Sequence, residues 1–142
     1  GAGDRHPDDM ILCIVADKLD EKGNPVRFNG TIGVSDDVVT RGYLRVSRRE
    51  KDPELTTSWR VELRGRSELL LRPDEIVPVD VTLQPSATYF QKGERLRLVV
   101  ASYEPCPSPV FTKDLTPNSG THVLHFGGDY DACLRIPVIP EQ

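Results

Sequence analysis

Apolar side chains recur at every second position in several stretches of this chain, and turn residues separate the stretches. Met10 to Leu19 is an apolar run rich in β-branched residues, closed by Asp20-Glu21-Lys22-Gly23-Asn24, whose glycine and asparagine suit the positive φ of a hairpin turn. Asn29-Gly30 offers a second such turn. Gly42 to Arg48 alternates Tyr43, Arg45 and Ser47 against Leu44 and Val46, which predicts a strand with one wet face. Val77, Val79, Val81 and Leu83 share one face of a further predicted strand, and Pro78 on the opposite face marks an edge or a bulge. Gln91-Lys92-Gly93-Glu94 reads as a turn leading into Leu96, Leu98 and Val100, opposed by Arg95, Arg97 and Val99, the return strand of a hairpin. Glu104 to Asn118, with Pro105, Pro107, Pro109 and Pro117, is a loop. Thr121 to Phe126 and Ala132 to Ile139 close the chain as strands. Arg48 to Leu55 is read as a short helix or an irregular loop with no role in the core.

Twelve prolines and eleven glycines leave no helical pattern longer than about two turns. Many short strands at this spacing predict an all-β, antiparallel sandwich or jelly roll. The 142 residues suffice for one domain with a real core. Residues 1–7, which open on Gly1-Ala2-Gly3, read as a linker or expression scar, 8–140 as the domain and 141–142 as a tail.

Charge narrows the partners. Eighteen basic and 22 acidic residues give a net charge of −4, and the cations are interspersed with anions, which argues against a nucleic-acid surface. No apolar run approaches the roughly 20 residues of a membrane span. Three cysteines, Cys13, Cys106 and Cys133, cannot all pair within the chain; Cys13 and Cys133 sit in strand-like segments and are expected to be buried free thiols, pointing to a reducing, cytoplasmic compartment.

The candidate chemistry is thin. A hydrolase nucleophile elbow needs its serine on a sharp turn between two glycines. Gly33-Val34-Ser35-Asp36-Asp37 lacks the second glycine, so Ser35 is expected on a surface turn. His122 and His125 would share a face on a helix but point to opposite faces of a strand, so hydrogen-bonded structural histidines are expected there rather than a metal site. Asp8-Asp9, Asp36-Asp37 and Asp129 with Asp131 suit turn capping better than calcium or glycosidase chemistry. No catalytic, cofactor-binding or metal-ligating residue is therefore assigned. Arg45, Arg48, Arg49, Arg60, Arg64 and Arg66 alternate with Glu50, Asp52, Glu54, Glu62 and Glu68, which predicts ion pairs or a polar domain boundary. Trp59, the only tryptophan, stands beside them, and Trp59, Arg48 and Arg49 are the candidate interdomain surface.

Four blocks, in order, resemble the C-terminal domain of X-Pro dipeptidyl-peptidases, cocaine esterases and α-amino-acid ester hydrolases. They are Asp8-Asp9-Met10 leading to Lys18-Leu19-Asp20 with Gly23-Asn24; Gly42 to Arg49 with Asp52-Pro53 and Trp59; Arg72 to Val79 followed by Pro85-Ser86 and Phe90 to Leu98; and Asn118 to His125 with Gly127-Gly128, Tyr130-Asp131, Leu134 and Ile136 to Pro140. Ile11 stands where an acidic residue is frequent, Asp74 where glycine is common, and Glu94 where histidine is common. The resemblance implies a galactose-binding-domain-like jelly roll that packs on an α/β-hydrolase catalytic domain and helps shape its active-site rim, with the serine, aspartate and histidine of the triad in that other domain. The usual module also has strands upstream of the Asp8 block. This chain supplies none, so it is expected to be a fragment or to receive those strands from elsewhere, and to self-associate through an uncovered edge. The competing reading is a free-standing carbohydrate- or protein-binding sandwich. Sugar platforms expose several aromatic rings; this chain has nine aromatics, most of them in segments expected to be core.

Overall fold

The computed structural model describes residues 9–30, 36–105 and 118–139. Asp8, Ser35, Cys106 and Pro140 lie outside these residues. Among the described residues the protein is all-β, an open four-stranded antiparallel sheet whose one helical element is a single 3-10 turn at Val46–Arg48.

The sheet is built around β1, Ile11–Leu19. On one edge β3, Thr40–Arg45, pairs with Ile11 to Ala16, and β2, Pro25–Val26, takes over at Lys18 and Leu19. On the other edge β4, Arg95–Ala101, pairs with Cys13 to Leu19. Flanked on both sides, β1 is buried without a break from Leu12 to Lys18, which is why its sequence is a continuous apolar run and not an alternation. The turn after it forms as expected: Gly23 takes φ +90°, and the Asp20 carboxylate accepts from the Asn24 backbone N–H at 2.8 Å and its side-chain amide at 3.0 Å.

Register divides the sheet into two faces. Leu12, Ile14, Ala16 and Lys18 share one with Leu44 and Gly42 of β3 and with Leu96, Leu98 and Val100 of β4; Cys13, Val15 and Asp17 share the other with Tyr43, Arg41, Val99 and Arg97. The core comprises Leu12 to Ala16 with Val38, Leu44 and Val46. Side chains buried to the degree of Val15 or Leu44 contribute about 1.5–3 kcal/mol each. Gly42 is required by a close crossing. A Cβ there would stand 2.4 Å from the Thr82 carbonyl oxygen and 3.0 Å from the Leu83 side chain, so only glycine lets the 82–84 segment lie against β3. That segment is tied down by Gln84 N–H donating to the Arg41 carbonyl at 2.9 Å and the Thr40 hydroxyl donating to the Gln84 carbonyl at 2.5 Å.

Several expected strands are absent as paired elements. The 77–84 segment runs outside any ladder, and β4 pairs with β1 instead of forming a hairpin with it. The 121–126 and 132–139 segments likewise join no ladder; between them Gly127 and Tyr130 form an isolated bridge. Alternation records which side chains face inward, whereas a strand also needs a neighbour that completes a run of hydrogen bonds; the 77–84 segment meets β3 only at its end, through Gln84 and Arg41, and no ladder forms along it. The expected strand over 42–48 ends at Arg45, and Ser47, expected on the wet face, is fully buried.

Candidate interdomain surface

The end of β3 is shaped by one carboxylate. Asp9, only 5% exposed, accepts from Ser47 N–H at 2.9 Å, from the Ser47 hydroxyl at 2.8 Å and from Arg45 Nε at 2.6 Å. Meeting the Ser47 N–H this way turns the chain out of the strand into the 3-10 turn and draws Ser47 inward. Burial pushes the Asp9 carboxyl up, but the bonds from Arg45 and Ser47 outweigh it and hold the group below the usual carboxylate range. Tyr43, on the same strand, donates to Glu104. Desolvation, then the bond to Glu104 and that carboxylate's charge, push the phenol up to about 12, so it remains a donor at any physiological pH.

Beyond the 3-10 turn the chain forms an arm over residues 50–64. Asp52 N–H donates to the Glu62 carbonyl at 2.8 Å, Arg64 N–H to Glu50 at 2.9 Å, and Lys51 bridges Leu63. The tip closes with Thr57 N–H to the Arg60 carbonyl at 2.8 Å. Trp59 stands on this tip, 77% exposed, while Arg135 reaches the Ser58 carbonyl at 3.1 Å. Arg48 and Arg49 lie at the arm's base with their guanidiniums turned to main chain: Arg48 donates to the carbonyls of Arg66 and Ser67, and Arg49 to those of Val46 and Leu69. Both arginines thus clamp the 66–69 segment to the sheet, and the arm's length separates them from Trp59. The predicted ion pairs form as Arg48 with Glu68, Arg60 with Glu62 and Arg64 with Glu50.

Two charged groups inside β1 escaped sequence reasoning. Asp17, with its side chain 2% exposed, is held between Arg27 and Arg97, and Arg97 is its cross-strand partner on β4. Lys18 is bonded to Glu94 at 2.6 Å and to the Tyr89 carbonyl at 2.8 Å, with its ammonium 5.4 Å from the centre of the Phe90 ring. The Lys18 bond, with a second from the Gln91 N–H, holds the Glu94 carboxyl below its usual range. Glu94, at a position where the resemblance leads one to expect histidine, thus joins the 89–94 segment to the sheet's central strand. The available signal was the acidic and basic pair closing an otherwise apolar run.

Much apolar surface is uncovered. On β4, Leu96, Leu98 and Val100 are 37–43% exposed, and Val123, Phe126, Ile136, Val138 and Ile139 are exposed further along the chain. Of the eight aromatics among the described residues, six, Tyr43, Trp59, Tyr89, Tyr103, Phe126 and Tyr130, are exposed, against the expectation that most would be core. Cys13 is buried as expected, but Cys133 is exposed. His122 is half-buried with no hydrogen-bond partner for its Nε2 among the described residues, and the His125 ring lies 5.0 Å from Tyr130. Among the described residues no three His, Cys, Asp or Glu side chains converge as metal ligands, and no helix is long and apolar enough to cross a membrane.

The family model for the X-Pro dipeptidyl-peptidase C-terminal non-catalytic domain matches residues 4–135. The chain belongs to this family. Its fold is shared with a CocE/NonD family hydrolase from Staphylococcus aureus in two crystal structures. One superposes with a TM-score of 0.70 at 38% identity, covering 77% of this chain and 20% of the hydrolase; the other has a TM-score of 0.74 at 36% identity, covering 82% and 22%. Comparison with curated proteins gave no match. A member of the X-Pro dipeptidyl-peptidase C-terminal family, this chain spans about one fifth of the hydrolase chain it resembles.

Proposed function

We propose that this chain is the accessory module of an acyl-serine hydrolase acting on peptides, esters or amides, packing on the α/β-hydrolase domain and shaping the rim of its active site. The observation that carries this reading is the likeness to one fifth of a CocE/NonD hydrolase at 36–38% identity, together with membership of a family of non-catalytic domains. The triad belongs to the other domain. In the assembled enzyme the described sheet is one layer of a jelly roll, and the exposed apolar side chains of the 121–126 and 132–139 segments face its second layer or the hydrolase domain. Trp59 at the arm tip is the anchor on the partner side, since an exposed tryptophan on a rigid projection is the residue type that dominates interfaces. Arg48 and Arg49 act beneath it by holding the arm's base.

The exposed aromatics favour a second reading, a free-standing carbohydrate- or protein-binding module; family membership weighs against it. Sedimentation of this chain with the separately expressed hydrolase domain of its parent distinguishes the two. Co-sedimentation that weakens at least tenfold in Trp59→Ala is expected. No affinity for that domain in the wild-type chain would favour the free-standing module.

A further inference from the structure

Asn29-Gly30 follows directly on a bridge between Phe28 and Asp37, in which Phe28 N–H donates to the Asp37 carbonyl at 3.0 Å and Asp37 N–H to the Phe28 carbonyl at 2.8 Å. Position 30 has to be glycine. A Cβ there would stand 2.5 Å from Asp37 Oδ2 and 3.1 Å from Asp37 Cβ and Cγ. Asp37 is held in that place, because its carboxylate accepts from the Val38 N–H at 2.9 Å and pairs with Arg41. The fold thus demands, directly after Asn29, the residue that shields its own amide nitrogen least.

The chain has three asparagines, and their surroundings differ in what they allow the side-chain amide to do. Asn24 precedes Pro25, whose nitrogen carries no proton and is no nucleophile, and its amide donates to Asp20 at 3.0 Å. Asn118 is fixed at both ends of its amide: Oδ1 accepts from the Ile11 N–H at 2.7 Å, and Nδ2 donates to the carbonyls of Ile11 at 2.8 Å and Ser102 at 2.7 Å. Asn29 has neither restraint. Among the described residues its side chain and the Gly30 N–H have no hydrogen-bond partner.

We infer that Asn29 is a site of spontaneous deamidation, which places a chemical clock on the connection between β2 and β3. Once solvent base has taken its proton, the Gly30 nitrogen attacks Asn29 Cγ; the N–Cγ bond forms, the Cγ–Nδ2 bond breaks, and the amide leaves as ammonia with a proton from water. Water then opens the cyclic imide at either carbonyl. Cleaving the N–Cγ bond leaves aspartate, and cleaving the bond between that nitrogen and the Asn29 backbone carbonyl carbon leaves isoaspartate. Both products add a negative charge near Asp37, on a chain whose net charge is already −4. Isoaspartate also lengthens the main chain by a carbon next to the Phe28–Asp37 bridge, so it opens that bridge where aspartate does not.

Trypsin separates the three asparagines, releasing 23–27, 28–41 and 114–135 as different peptides. The purified chain is held at neutral pH and physiological temperature, and its digests are followed by mass spectrometry, with isoaspartyl methyltransferase marking isoaspartate. Peptide 28–41 is expected to convert to the acid, mostly as isoaspartate, while the other two remain amides; after unfolding in guanidinium, 114–135 converts as well. Asn29→Gln abolishes the conversion and leaves the far-UV spectrum unchanged. In the isoaspartate fraction the Phe28 and Asp37 amides lose their protection from hydrogen exchange, which Asn29→Asp retains. An Asn29 amide that persists in the folded chain, or an Asn118 that converts there as fast as Asn29, would overturn the proposal. So would an isoaspartate fraction in which the Phe28 and Asp37 amides stay protected.

Discussion

Replacing Arg27 and Arg97 together by methionine lowers the unfolding free energy by about 3–5 kcal/mol, the cost of leaving a buried carboxylate without its cations. The acid is the desolvated member of the cluster. Its side chain is 2% exposed, whereas Arg27 and Arg97 are 28% and 43% exposed and lose less on leaving water. Asp17→Asn removes the buried charge itself and returns two cations to partial solvent, so it costs clearly less than the double arginine change. Either single arginine substitution falls between, since the other cation remains. Urea unfolding of the four proteins gives this order directly; a double variant no less stable than Asp17→Asn would show that Asp17 is not held as described.

The second large effect is at Asp9. Asp9→Asn keeps the shape but loses the charge that Arg45 and Ser47 bond to, and hydrogen bonds to an ionised group contribute about 1.5–3 kcal/mol. The folded-state carboxyl titrates below its unfolded value of about 3.9. The stabilisation is therefore complete above that value and is lost as pH falls through the folded one. Wild type is expected to exceed Asp9→Asn by about 2 kcal/mol from pH 6 to 8, with the gap closing below about pH 4. A gap that stays the same as pH is lowered from 6 to about 3 would assign the loss to packing and not to the charge.

What could be read from the chain beforehand followed from local physics. β1, the Gly23 turn and β3 were legible because an unbroken β-branched run, a turn with glycine at positive φ and a two-residue alternation are each decided within a few residues. The termination of β3 was not, because it depends on Asp9, 38 residues before Ser47. The partner of β4 was misread for a related reason. Alternation in 77–84 and 95–101 with a turn between them describes a hairpin, but whether two strands pair is settled by what else competes for each edge, and β1 takes this one. Among the candidate surface residues, the ion pairing of the arginine-rich region was visible from its alternating signs. That Arg48 and Arg49 spend their guanidiniums on carbonyls 18 to 20 residues away was not, since backbone acceptors leave no mark in sequence. The exposed aromatics and Cys133 follow from the same non-local fact: an apolar pattern announces a face to be covered, without saying whether the cover belongs to this chain.

The central claim, that chemistry resides outside this chain, is tested most directly by assaying the purified chain against prolyl-peptide and short acyl-ester chromogenic substrates. The rate is expected to equal that of buffer and to be unchanged by Ser35→Ala. Turnover above buffer that survives purification and disappears in Ser35→Ala would contradict it.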